Sequence, residues 1–85
     1  MRLTAQVIQQ LLDQNSGYTD STLYSGRNSS EERYYEIRGG ELHVRSVGKT
    51  SWADSRYENE FVADTEQTRR FLRDRLLVLD TTGLD

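Results

Sequence analysis

The chain contains no cysteine and no proline, a single histidine and few aliphatic side chains. Without cysteine there is no disulfide framework and no thiolate metal site, and secreted domains of this size ordinarily depend on such staples. The absence points to a reducing, cytoplasmic setting. A lone imidazole, His43, leaves any histidine-based metal site to be completed by carboxylates, so neither metal nor cofactor is expected. No run of about 18 apolar residues is present, and the N-terminus lacks a basic leader followed by an apolar stretch, so neither a membrane span nor export by that route is expected. Leu, Ile, Val and Phe make up 19 of the 85 residues, little above the level of about 20% at which disorder becomes the default.

Five Tyr and one Trp counter that shortage, because aromatic side chains bury large areas and disordered chains are poor in them. Eighty-five residues suffice for one core, so residues 1–85 are expected to form a single small α+β domain. The net charge of −3 argues against a generic nucleic-acid coat protein, whose affinity comes from neutralising phosphates. Ten of the eleven basic residues are Arg, the side chain suited to bidentate and stacked contacts.

Hydrophobic spacing predicts two helices. Val7, Ile8, Leu11 and Leu12 share one stripe after Thr4, an N-cap whose neighbours Leu3 and Ile8 stand in hydrophobic-staple positions. Asn15, Ser16 and Gly17 end this helix. Asp64, three residues before Gln67, opens a second helix reaching Asp80, with Phe71, Leu72, Leu76 and Leu79 as its buried stripe.

Between the helices lies an antiparallel sheet of three to four strands, giving the order α-β-β-β-α. The clearest signal is Gly39–Gly40 between two alternating segments over residues 33–47, which predicts a two-residue hairpin loop. In that register Arg38 faces Glu41, Ile37 faces Leu42, Glu36 faces His43, Tyr35 faces Val44 and Tyr34 faces Arg45. Tyr35, Ile37, Leu42 and Val44 then enter the core, and the opposite face carries charge pairs and a cation–π contact. Residues 56–62 read as a further half-exposed strand and 18–24 as a strand or loop. Residues 25–32 and 48–55 read as exposed connections.

The order of elements resembles the double-stranded-RNA-binding domain in outline. That family opens its last helix with a Lys-rich run, whereas the corresponding turn here, Asp64, Thr65, Glu66 and Gln67, would repel phosphate, so no family is assigned. Gly48, Lys49 and Thr50 match the end of a phosphate-binding loop, but His43 stands where a second Gly is required. Glu58 and Glu60 share one strand face, the ordinary pattern of a solvated sheet. The sequon at Asn28 has no consequence without export.

The remaining candidates are binding residues. Tyr34, His43 and Arg45 share the outer hairpin face, Arg69, Arg70 and Arg73 concentrate positive charge on the second helix, and Trp52 sits in a polar stretch. These point to a non-enzymatic adaptor or regulator that binds another protein, with self-association possible. The alternative is a nucleic-acid-binding module using Tyr34, Arg45 and the Arg69, Arg70 and Arg73 helix face.

Overall fold

The computed structural model describes residues 1–50 and 55–84. Helix α1 (Ala5–Gln14) leads into four strands, β1 (Thr19–Ser25), β2 (Ser29–Arg38), β3 (Glu41–Thr50) and β4 (Ser55–Val62), and helix α2 (Thr65–Arg73) follows. The strands form one open antiparallel sheet in sequence order, β1-β2-β3-β4. The α+β class and the two flanking helices are as expected, with the sheet at the four-stranded end of the range.

Local chemistry starts each element. Thr4 accepts a hydrogen bond from the Val7 N–H at 3.2 Å, and its neighbours Leu3 and Ile8 are both buried. Asp64 accepts from the Gln67 N–H at 2.8 Å while Gln67 accepts from the Asp64 N–H at 2.9 Å, a complete capping box. Gly39 and Gly40, at φ 59° and 74°, form the two-residue turn, and all five expected cross-strand pairs of β2 and β3 are present. That turn is docked on α1 by Gln9, whose amide donates to the Gly40 carbonyl. Gly17, at φ 91°, starts β1 with a bulge: its N–H bonds the Ile37 carbonyl while the Ile37 N–H bonds the Tyr18 carbonyl.

Two expected connections are strand over most of their described residues, 51–54 of the second lying outside them. β2 begins at Ser29, so the link from β1 shrinks to a turn at residues 26–28, closed by the Gly26 N–H on the Ser29 carbonyl. On the other side β3 runs through Gly48 to Thr50. Composition pointed to loops there because no apolar residue marks these ends, but pairing with a neighbouring strand supplies their backbone bonds regardless. Gly48 fits because the Tyr57 ring, directly opposite on β4, occupies the space where a Cβ would stand.

The second helix also departs from expectation, ending at Arg73 and not at Asp80. Beyond the cap at Asp74 the Arg75 N–H makes a tighter bond to the Leu72 carbonyl, and the Arg75 side chain is drawn across to Asp20 on β1 at 2.6 Å. The following turn brings Leu79 into the core and leaves Leu77 and Val78 outside. Asn15 then holds the backbone of Asp80 from both sides, accepting its N–H at 2.8 Å and donating to its carbonyl at 3.0 Å.

Both helices lie on the sheet face that carries Ile37, Leu42 and Val44, and together with Leu3, Ile8, Leu11, Leu12, Phe71, Leu72 and Leu79 they form the core. Farther along β3 the same face offers Ser46 and Gly48, and along β2 it offers Arg33 and Glu31. Apolar partners therefore run out halfway, and so does the helical cover. Strands of ten residues span about 33 Å, whereas helices of ten and nine residues span about 15 Å. The molecule is accordingly elongated, 49 × 22 × 19 Å. Leu72 is fully buried at the centre of the covered end, so Leu72→Ala is expected to cost about 2–5 kcal/mol, read as a lower urea midpoint with unchanged slope.

Candidate functional site

Where α2 stops short of the sheet's far end, it leaves a cleft of about 910 Å³. Its floor and walls include Tyr18, Tyr24, Tyr35, Phe61, Phe71 and Val78, with Arg70 and Asp74 contributed by α2 and its cap. Tyr24, Tyr57 and Phe61 lie on the helix-bearing face by register, yet remain 51%, 45% and 39% exposed because no described residue covers them. No helix among the described residues is long and apolar enough to cross a membrane, and they contain no group of three or more His, Asp or Glu placed to hold a metal.

A charged node fixes the inner wall. Arg75 lies over the Phe71 ring, 3.9 Å from its centroid, and 5.3 Å from that of Tyr35. Tyr35 packs tilted against Phe71 at 4.7 Å, and Tyr18 meets Phe71 edge-on at 6.2 Å. The guanidinium is half-buried by these rings and held by Asp20, whose second carboxylate oxygen accepts the Ser21 N–H at 2.7 Å. The bond from Arg75 holds the Asp20 carboxyl below its ordinary range, against the opposing effect of burial. Burial first, and the neighbouring Asp20 charge second, push the Tyr18 hydroxyl up.

The residues singled out from sequence are divided between two sides of the sheet. Tyr34, His43 and Arg45 do meet on the outer face, where Arg45 lies 5.6 Å from the Tyr34 ring centroid. Arg45 is held by Glu58 at 2.7 Å, which raises its affinity for the proton, and the Tyr34 hydroxyl bonds Glu32, which raises its pKa. His43 contacts Arg38 at 3.2 Å and Glu41 at 3.7 Å. Glu36, which faces it in register, turns to Arg38. The three helix arginines separate: Arg69 is engaged by Glu66 and by the Leu3 carbonyl, Arg70 lines the cleft and Arg73 is exposed. Since α2 packs on the face opposite Tyr34 and Arg45, the two groups form no common surface. Trp52 lies outside the described residues.

Sequence reading passed over Asp20 and counted Arg75 only as one of the crowded arginines of the second helix. Their signal was faint: Asp20 is the only charged residue in a Thr- and Tyr-rich segment, and Arg75 closes the Arg run of the second helix.

Because the folded-state pKa of Asp20 lies below its unfolded value, its ion pair contributes stability above the unfolded value of about 3.9 and loses it as pH falls through the folded one. Urea unfolding followed from pH 7 down to about pH 2 should therefore show a steeper acid loss for the parent than for Asp20→Asn. Equal slopes would mean that the carboxylate is unpaired in solution.

No family model matches the chain, and neither a curated protein nor a solved structure shows significant similarity to it.

Proposed function

We propose that the protein is a non-enzymatic adaptor or regulator that holds a protein partner in the cleft between α2 and the uncovered half of the sheet. The observation that carries this reading is the exposure of Tyr24, Tyr57 and Phe61 on the face that is otherwise core. In a chain so short of apolar residues, rings left open beside a concave wall favour a surface completed by another molecule. Tyr, Phe and Arg are also enriched at protein interfaces. Arg70, which makes no ion pair among the described residues, stands ready for a carboxylate or carbonyl of the partner. Three of the four acidic groups lining the cleft are committed, Asp20 to Arg75, Asp64 to its cap and Glu66 to Arg69. The lack of cysteine supports a reducing, cytoplasmic setting.

One observation favours a second reading, nucleic-acid binding on the outer face. The register sets Lys49 directly opposite Arg56, a like-charge pair that costs stability. The carboxylates nearby are engaged elsewhere, Glu58 by Arg45 and Glu32 by Tyr34. An anionic ligand would relieve that repulsion, and Tyr34 adjoins it.

Two double variants distinguish the readings, Phe61→Ser with Val78→Ser in the cleft and Lys49→Gln with Arg56→Gln outside. Each is checked for parental melting, and partners are recovered from host lysate with and without nuclease. The cleft variant is expected to lose nuclease-resistant protein partners that the outer variant keeps. Loss confined to the outer variant, abolished by nuclease and steeply salt-dependent, would assign nucleic acid instead.

A further inference from the structure

The two edges of the sheet are built differently. β4 carries Arg56, Glu58 and Glu60, and charges along an edge strand discourage a foreign strand from pairing. β1 reads Thr-Asp-Ser-Thr-Leu-Tyr-Ser, and its one charge, Asp20, is neutralised by Arg75 at 2.6 Å. Leu23, 66% exposed, is the most exposed large apolar side chain of any described strand position.

The hydrogen bonds at both ends of β1 set which of its backbone groups are free. The Tyr18 carbonyl accepts from Ile37, and the Gly26 N–H donates to Ser29. By alternation, Asp20, Thr22 and Tyr24 bond β2, while Thr19, Ser21, Leu23 and Ser25 point their N–H and C=O to the open edge. Among those edge donors the Ser21 N–H is already bonded by Asp20.

We propose that β1 pairs antiparallel with β1 of a second copy of this chain, about a two-fold axis at Leu23, joining two four-stranded sheets into one continuous sheet. In that register Leu23 faces its own symmetry mate, Thr22 faces Tyr24 and Ser21 faces Ser25, so no like charges meet and two exposed leucines cover each other. The two Leu23 residues exchange both backbone bonds, and each Ser25 N–H reaches a Ser21 carbonyl. The return bond, from the Ser21 N–H to the Ser25 carbonyl of the second copy, is pre-empted by Asp20, which leaves that carbonyl to water but orphans no edge donor within the paired stretch. The middle of β4 offers no equivalent. Self-pairing about Glu58 sets that carboxylate against its mate, and self-pairing about Asn59 sets Glu58 against Glu60. The cleft stays open in the dimer, since Tyr24 lines it while Leu23 lies on the other sheet face.

Sedimentation equilibrium from micromolar to millimolar protein tests this. The mass is expected to rise from one chain to two and stop, and Leu23→Lys, which places ammonium against ammonium, is expected to raise the dissociation constant at least about tenfold. Because the chain has no cysteine, a single Leu23→Cys variant gives a second measurement. Facing residues in such a pair stand about 5.5 Å apart between Cα atoms, within disulfide reach. Mild oxidation should therefore cross-link Leu23→Cys faster than Glu58→Cys on β4. A mass that stays monomeric at millimolar concentration, or that grows past the dimer, would overturn the proposal. So would equal cross-linking of the two cysteine variants.

Discussion

The ion pair between Asp20 and Arg75 joins parts of this molecule that lie 55 residues apart in the chain. Arg75 belongs to the turn after α2 and Asp20 to the edge strand β1, and at 2.6 Å they tie the C-terminal segment to the sheet. With its guanidinium lying over Phe71, Arg75 also holds the ring that Tyr18 and Tyr35 pack against. The same carboxylate takes the Ser21 N–H and so decides which edge amides of β1 stay free. The C-terminal segment, the cleft wall and the sheet edge thus share one contact. Such a pair keeps more of its attraction than an exposed one, because the rings that cover it exclude water.

A second constraint is the supply of apolar side chains. The core residues of the sheet, Ile37, Leu42 and Val44, gather at the end nearest the Gly39–Gly40 turn. Past them the same face is built from Ser46, Gly48, Arg33 and Tyr57, which suffice to pair strands but not to seat a helix. The uncovered half is therefore a direct result of composition, and it creates the cleft for which we propose a partner.

Much of the fold was legible in the sequence, and for identifiable reasons. Gly39–Gly40 defined the hairpin because only glycine sits easily at two successive positive φ angles, and the alternation around it allowed one register. Thr4, Asp64 and Gln67 marked helix starts through local hydrogen bonds. What was not legible depended on distant partners. Residues 29–32 and 48–50 carry no apolar signal and are strand only because their neighbours pair with them. The second helix stops at Arg73, and beyond it Arg75 reaches Asp20, 55 residues away in the chain, a contact that no local pattern reveals. Of the binding residues expected from sequence, Tyr34, His43 and Arg45 do share one face, whereas Phe61, which lines the cleft, and Tyr57 on the same sheet face read as ordinary members of a half-exposed strand. Their exposure follows from the length of a helix on another part of the chain.

Strands that begin under helices and end in the open divide each ladder into two thermodynamic regimes. Near Ile37 and Leu42 an amide can exchange its hydrogen with solvent only when the core opens, so its protection approaches that of global unfolding. Near Glu31 and Gly48, on the same two strands, separation of a few cross-strand pairs is enough. A gradient of protection along single strands, with no loop between its extremes, is therefore built into this sheet, and a molecule that binds the uncovered half would flatten it from the weak end.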